Sequence, residues 1–259
     1  MDRKTDLRLW AVLFWLAVWQ IAAMALAAVY PHGELLLASP VDVLLRLGQL
    51  AVTAAFWRTV AWSAVRIFGG FLLATVLAVA LAALAAWKQW LRGLMAPLVA
   101  AVKTVPVASF IILALVWVSG SSLSVLISFL MVLPVLYSAV RTGIGSADRQ
   151  LLEMAQVFRL PLGRRLRAVW LPAVLPAFRQ GCSVALGICW KSGVAAEVIG
   201  LPDGSIGDAL YRAKITLSTG ELFAWTFVII LLSAVFEKLF LALLDKAVAA
   251  VLGEEGAEK

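Results

Sequence analysis

Residues 59–87 read TVAWSAVRIFGGFLLATVLAVALAALAAW, and this stretch decides the class of the fold. Its one charged residue is Arg66, and it is longer than the roughly 20 apolar residues that cross a bilayer as a helix. Lipid offers no water to the peptide groups, so the backbone of such a segment must satisfy its hydrogen bonds internally. The run is also too long and too continuous for a barrel strand. It therefore predicts a transmembrane α-helix.

The same pattern recurs along the whole chain. We predict membrane spans at residues 9–30, 59–87, 94–119, 123–142, 168–199 and 222–244. These runs predict an all-α membrane protein in which residues 1–259 form one domain with six transmembrane helices. Prolines interrupt several spans, at Pro97, Pro106, Pro134, Pro172 and Pro176. Each proline is either an ordinary packing kink or part of a pathway through the membrane.

The composition agrees with this class. Of 259 residues, 63% are hydrophobic and 14% are charged, and the mean hydropathy is +0.99; soluble proteins are much more polar. A net charge of +7 would suit a nucleic-acid-binding protein, but the cations cluster in the loops, as they do beside membrane spans. Cys182 and Cys189 lie on one face of one apolar segment, which indicates small buried side chains rather than a disulfide or a metal site.

The distribution of Lys and Arg predicts the orientation. One side of the predicted spans carries Arg3, Lys4, Arg8, Lys88, Arg92, Arg141, Arg149, Arg159, Arg164, Arg165, Arg167, Lys246 and Lys259, and the other carries Arg46, Arg58, Arg212 and Lys214. By the positive-inside rule the first side is cytoplasmic, with both termini inside. The first apolar run has the length of a span rather than of a signal-peptide core, so we expect an uncleaved helix.

A long cytoplasmic connection separates the fourth and fifth spans. Within it, Ser146 or Asp148 can cap a short helix whose apolar side is supplied by Leu151, Leu152, Ala155 and Phe158. Residues 160–163, Leu-Pro-Leu-Gly, predict a break, after which Arg164 begins a second helix that continues into span five. Composition alone leaves open that the short helix simply rests on anionic lipid.

Three motifs extend this interpretation. Glu-x-Ala at residues 153–155, followed by Val169 and by Leu171-Pro172, resembles the EAA signature of ABC importer permeases, which continues through a glycine to I-x-L-P. The run Val194-Ala195-Ala196-Glu197-Val198-Ile199-Gly200 resembles V-A-A-E-x-I-G of the nitrate, taurine and aliphatic-sulfonate permeases. Val102-Lys103-Thr104-Val105-Pro106 is similar to their third-span segment. With residues 63–66 in span two, the likeness covers about residue 59 to the C-terminus.

The resemblance implies a type I importer permease with a cytoplasmic coupling helix in region 146–165. Its coupling residues would be Glu153, Met154, Ala155, Phe158, Arg159 and Gly163, with Glu153, Ala155 and the face around Phe158 docking on an ATPase. Arg159 stands where the family has glycine, so we expect the turn at Pro161 and Gly163 instead.

The same resemblance implies the partners and the location. The chain has no phosphate-binding G-x-x-x-x-G-K-[ST] loop, so we expect no enzyme activity and no cofactor in this chain, with ATP bound by two partner ATPase subunits. An extracytoplasmic solute-binding protein and a second copy of the chain complete the expected assembly, a homodimer in the bacterial cytoplasmic membrane. No nucleic acid is expected.

Charged residues inside the predicted spans are candidates for the substrate pathway. They are Arg66, Lys103, Arg179, Lys191 and Glu197. Each would cost about 2.5–3.5 kcal/mol or more if it faced lipid at the bilayer centre, so they are expected to face protein or water. Four cations against one acid favour an anionic solute. The alternative is that these charges pair with helix ends or reach the headgroups. Glu237 and Lys238 are interpreted as a self-compensating pair near the inner end of span six.

Other functions remain open at this point. An ion-coupled transporter predicts internal repeats and buried acids, of which the sequence has little. An intramembrane enzyme would need acid–base groups, and His32, the single histidine, lies beyond span one. A further alternative keeps the ATPase partner but reverses the direction of transport or changes the transport module, as in energy-coupling-factor scaffolds.

Overall fold

The computed structural model describes the backbone of residues 9–253 and their side chains except those of Leu9, Glu34, Lys103 and Leu252. Every regular element in this range is helical. The α-helices are α1 (Leu9–Val29), α2 (Pro40–Ala51), α3 (Ala54–Trp87), α4 (Gln89–Thr104), α5 (Val107–Ala114), α6 (Gly120–Gly145), α7 (Arg149–Val157), α8 (Leu162–Arg165), α9 (Leu171–Gly200), α10 (Ile206–Ile215) and α11 (Thr219–Leu252). A 3₁₀ turn lies at Gly33–Leu35, between α1 and α2, and a π turn lies at Leu166–Trp170, between α8 and α9. The terminal cations Arg3, Lys4, Arg8 and Lys259 lie outside the described residues.

Five helical stretches of the described chain are long and apolar enough to cross a membrane. They are Trp10–Val29, Ala54–Trp87, Gly120–Gly145, Leu162–Gly200 and Thr219–Val251. They overlap five of the six predicted spans. A sixth span is present only if α4 and α5 are counted as one bent pair.

The predicted third span, residues 94–119, is not a continuous helix. α4 and α5 meet at a bend of 101°, because Pro106 lacks an N–H and its ring keeps the preceding Val105 extended, at φ −78° and ψ 134°. Pro134 leaves α6 intact, and α6 packs against both α3 and α9. A proline therefore breaks the span at α4 and α5, which pack less extensively against their neighbours than α6 does.

The segment before span two contains a helix that the sequence analysis did not assign. The hydroxyl of Ser39 accepts a hydrogen bond from the Asp42 N–H at 3.2 Å, and Pro40 occupies the first turn of α2. Serine followed by proline is a typical helix start. α3 also begins earlier than predicted, at Ala54, because Thr53 caps it.

The core lies where α6 packs between α3 and α9. Ile67 and Phe71 of α3, Leu136 of α6, and Leu186 and Trp190 of α9 are at most 1% exposed. Cys182 and Cys189 are buried free thiols in this core, which confirms the prediction that they are structural. In contrast, the most apolar stretches of α1 and α11 are each only 6% buried, so those helices offer surfaces to lipid or to another subunit.

Small residues let α3 and α6 approach closely. A Cβ at Gly70 would lie 2.5 Å from the carbonyl oxygen of Val125 in α6, so a side chain there would force the two helices apart. Along the same face of α3, Ala74, Ala78 and Ala82 are fully buried. Close packing of small residues is typical of helices that associate inside membranes.

Candidate functional site

The helix α7 begins at one of the two caps that the sequence analysis left open. The Asp148 carboxylate accepts a hydrogen bond from the Gln150 N–H at 2.8 Å. Ser146, the alternative cap, instead donates to the carbonyls of Gly143 at 2.9 Å and Ala173 at 3.3 Å. Asp148 therefore starts α7, while Ser146 ties the end of α6 to the start of α9.

The two sides of α7 differ in exposure. Leu151, Met154, Val157 and Phe158 are 42%, 45%, 79% and 71% exposed, and together they are called the α7 strip. Ala155 is only 1% exposed, so its side chain faces the rest of the chain. This differs from the expectation that Ala155 meets the partner directly.

Glu153 lies on the exposed side of α7. Neither a hydrogen bond nor an ion pair engages its side chain within residues 9–253. Capping of α7 is carried out by Asp148, so Glu153 does not cap its own helix. Its carboxylate is left available to a cation outside the described chain.

The turn after α7 is made at Arg159. Arg159 has φ +48°, and two hydrogen bonds close the helix end: Arg159 N–H to Gln156 O and Leu160 N–H to Ala155 O, both 3.0 Å. This pair of bonds defines a Schellman motif with Arg159 in the left-handed position. The expectation that Pro161 and Gly163 make the turn was wrong. Arg159 adopts the conformation that the family's glycine would favour, and Gly163 lies inside α8 without a positive φ.

Beyond the turn, the chain continues as one long helical stretch. α8 begins at Leu162, and the Leu171 N–H donates to the carbonyl of Leu166, five residues earlier, in the π turn. Pro172 offers no N–H, which explains why the regular ladder is interrupted here. Leu162–Gly200 is therefore a single stretch of 39 residues. It runs from the end of the bundle that holds α7, the α7 end, to the opposite end that holds α10, the α10 end.

Glu197 lies at the centre of a buried group of polar contacts near the α10 end. Its side chain is 0% exposed, and its Oε2 accepts hydrogen bonds from the Ser63 hydroxyl at 2.7 Å and the Gly207 N–H at 3.3 Å. The Ser63 oxygen in turn accepts from the Ile206 N–H at 2.9 Å. These contacts, called the Glu197 cluster, join α3, α9 and the first turn of α10.

The other pathway candidates are dispersed. Arg66 lies over the Trp62 ring at 4.5 Å and close enough to Glu197 to attract it. Arg179 forms a bidentate ion pair with Asp245 of α11, with N···O distances of 2.8 and 3.0 Å. Lys191 is exposed on α9. The side chain of Lys103 lies outside the described residues. The structure thus brings together Arg66 and Glu197 but not the others.

Glu237 does not pair with its neighbour Lys238. The Ser183 hydroxyl of α9 donates a hydrogen bond to the Glu237 carboxylate, and no ion pair joins Glu237 and Lys238 within the described chain. The interpretation of these two residues as a self-compensating pair was therefore wrong. Ser183 could not be recognised from the sequence as the partner of Glu237, because the two residues meet only where α9 packs against α11.

A cleft that the sequence analysis missed runs between α4, α6 and α9. A cavity of about 430 Å³ lies between α6 and α9 and includes Ser138, Thr142 and Gln180 in its lining. A second cavity of about 500 Å³ lies between α4 and α6 and shares Ser138 and Thr142 with the first. Uncharged polar residues in an apolar segment carry little signal in a sequence, because only the packing shows which of them meet.

The bundle and α7 together define a multi-spanning membrane protein with an exposed helix at one end. A family model for binding-protein-dependent transport system inner membrane components matches residues 74–250. The chain belongs to this family. It is a permease component of the ABC transport class, in agreement with the resemblance found in its motifs.

Individual relatives agree with this membership. A Brucella melitensis protein named "Probable ABC transporter permease protein" is 31% identical over 71% of this chain and 74% of its own length. The taurine transport system permease protein TauC of Escherichia coli is 26% identical over 92% of this chain and 86% of its own. The bicarbonate transport system permease protein CmpB of Synechococcus elongatus is 26% identical over 56% of this chain and 52% of its own.

Proposed function

We propose that this chain is the membrane-spanning subunit of an ATP-driven importer and forms the pathway for a small anionic solute of the sulfonate, taurine or nitrate kind. Two ATPase subunits bind at the α7 end, and a solute-binding protein delivers the solute at the α10 end. A second copy of the chain completes the pathway as a homodimer. Both termini lie in the cytoplasm of a bacterial cell.

The α7 strip carries this proposal. Its apolar side chains are exposed at the α7 end, and a contiguous exposed surface of Leu, Met, Val and Phe marks a site that a partner or lipid covers. Phe158 is the largest of them and is 71% exposed, which suits an anchor in a hydrophobic groove. Glu153 adds an unpaired carboxylate to the same surface, where it can meet a cation of the ATPase.

Rigid attachment makes α7 a suitable place to apply force. The Schellman motif fixes α7 to Leu160, and the stretch Leu162–Gly200 then continues to the α10 end. Closure of two ATPases would therefore displace α9 as a rigid body and change the access to the cleft. Such a movement needs no hinge within the core.

Phe158→Asp tests the docking assignment. In proteoliposomes that contain the cognate ATPase and binding protein, we expect solute uptake to fall at least about tenfold, because an anchor residue in a desolvated pocket contributes about 2 kcal/mol or more to binding. The variant should still insert, since Phe158 is exposed within its own chain. Uptake and ATP hydrolysis are measured together.

Val251→Asp is the matched control for this test. Val251 is an apolar residue of α11 near the α7 end and is 48% exposed, so the same charge is added at that end but outside the α7 strip. Uptake should stay near the wild-type rate. Equal loss of uptake in both variants, or wild-type uptake with Phe158→Asp, would refute the docking assignment.

An anionic solute is supported by the unpaired cation of α9 and by the relatives. Lys191 is exposed and has no carboxylate partner within the described residues. Relatives are named for taurine and bicarbonate transport. A sulfonate group and bicarbonate are both compact groups whose negative charge lies on oxygen atoms. The cleft between α4, α6 and α9 supplies hydroxyl and amide groups along its length.

The outer surface of α10 is the proposed receiving site for the binding protein. Arg212 pairs with Asp208 at 3.0 Å and approaches Asp203 at 3.9 Å. The hydrogen bond that the Arg212 guanidinium donates to the Asp208 carboxylate is the main reason that the pKa of Arg212 is raised. Arg212 and Asp203 are exposed, whereas Asp208 is buried and directly follows Gly207 of the Glu197 cluster. Contact with a delivered protein at this surface would therefore reach α9 directly.

A further inference from the structure

The cavity between α4 and α6 has charged residues in its lining as well as hydroxyl groups. Arg92, one turn into α4, and Arg141, one turn before the end of α6, both line this cavity of about 500 Å³. Tyr137 lies on the same face of α6, one turn further into the bundle than Arg141. The positively charged end of the cleft is therefore the end near α7.

Among the described residues, no acidic side chain compensates the two arginines. Neither Arg92 nor Arg141 forms an ion pair or a hydrogen bond to a side chain within residues 9–253. The described residues that line this cavity also include no acid. Two guanidinium groups around one cavity repel each other, and this repulsion is relieved if an anion lies between them.

Tyr137 provides a second and independent sign of a ligand. Its residue is only 5% exposed, and its hydroxyl is buried without a hydrogen-bond partner in the described structure. An unpaired buried hydroxyl is destabilising, and a bound oxyanion would accept the missing hydrogen bond.

We propose that Arg92, Arg141 and Tyr137 form an oxyanion-binding site at the α7 end of the cleft. The guanidinium groups donate paired N–H groups, which match the geometry of sulfonate, carboxylate and phosphate oxygens, and the Tyr137 hydroxyl donates a third hydrogen bond. The inference rests on the proposed function in one respect: the ligand it names is the anionic group of the transported solute at the exit of the pathway. The phosphate of an anionic lipid headgroup has the same chemistry and is the other possible source.

Ligand-induced stabilisation of the purified full chain tests this site. The thermal unfolding midpoint is measured in dodecyl maltoside, which contains no phosphate, while ethanesulfonate replaces chloride at constant ionic strength. A ligand that binds only the folded state raises the midpoint progressively with its free concentration, and the concentration at which the rise begins reports the apparent affinity. We expect Arg92→Gln and Arg141→Gln each to weaken the apparent affinity about tenfold, and Tyr137→Phe about fivefold.

Arg167→Gln is the matched control for the arginine variants. Arg167 is an exposed cation at the same end of the bundle but outside the cavity lining, so its removal changes the net charge equally and should leave the response to ethanesulfonate intact. Tyr137→Phe keeps the buried ring and removes only the hydroxyl, which guards against loss of the fold.

A parallel titration with short-chain phosphatidylglycerol distinguishes the two sources of the anion. A response to ethanesulfonate that the three variants lose supports an exit site for the solute. A response to phosphatidylglycerol alone, lost in the same variants, supports the oxyanion site and assigns it to lipid. If the variants respond like wild type to both ligands, the site does not exist. The assay contains no ATPase and no binding protein, so its outcome is independent of the Phe158→Asp test.

Discussion

Arg159 occupies a backbone conformation that residues with a Cβ normally avoid. A left-handed φ costs about 1–2 kcal/mol for an L-amino acid, and Arg159 has φ +48°. The two hydrogen bonds of the Schellman motif hold it there and leave the side chain exposed. The end of α7 is therefore shaped by the backbone requirement of the turn, whichever residue stands at this position.

Arg159→Gly should stabilise the chain by about 1 kcal/mol, because glycine adopts the left-handed conformation without the steric cost. The thermal unfolding midpoint of the purified chain measures this change. Gly163→Ala is the comparison: Gly163 is helical and a Cβ there would meet nothing within 4 Å, so alanine should be neutral or slightly stabilising. Destabilisation by Gly163→Ala would mean that the turn needs glycine at 163 instead.

Single residues show what the sequence could and could not predict. The Asp148 cap and the burial of Cys182 and Cys189 were predictable, since they depend on neighbouring residues and on apolar surroundings. The orientation of Ala155 toward the chain was not, because it depends on which side of α7 the bundle covers. The partners of Arg179 and Glu237, both supplied by contacts between α9 and α11, were hidden for the same reason.

At the scale of elements, span length was predictable and span continuity was not. Apolar length is a local property, so the spans overlap their predicted ranges closely. The bend of 101° between α4 and α5 depends on whether neighbouring helices support a proline. Pro134 has that support from α3 and α9, and Pro106 marks the break.

Two adjacent glycines in α3 give a direct test of the helix packing. A Cβ at Gly70 would lie 2.5 Å from Val125 O, whereas a Cβ at Gly69 would meet nothing within 4 Å. Gly70→Ala should therefore destabilise the chain by about 1–3 kcal/mol through overpacking. Gly69→Ala should be neutral or stabilise it by about 0.5–1 kcal/mol, since alanine favours a helix more than glycine does. Equal midpoints of thermal unfolding would contradict the contact between α3 and α6.

At the scale of the whole molecule, α9 connects the two surfaces where partners are proposed. Ser146 bonds to Ala173 near its start, and the Glu197 cluster holds the first turn of α10 near its end. The intervening helix packs closely against α6, as at Gly181, where a Cβ would lie 2.6 Å from the Ala139 side chain. A rigid α9 predicts that local damage at one end stays local in the isolated chain, where no partner transmits force.

Glu197→Ala tests that prediction at the α10 end. The substitution removes the acceptor for the Gly207 N–H and the partner of Ser63, and the loss of a buried hydrogen bond is worth about 1.4 kcal/mol, or tenfold in a local opening equilibrium. We expect amide hydrogen exchange in residues 201–215 to become about tenfold faster, while residues 149–158 exchange as in wild type. Ser192→Ala is the control, since Ser192 is also buried in α9 but its hydroxyl donates only within its own helix, to the carbonyl of Cys189 at 3.2 Å. Faster exchange at both ends with Glu197→Ala would show that the cluster stabilises the whole bundle, and unchanged exchange in residues 201–215 would show that the Glu197 cluster does not hold α10.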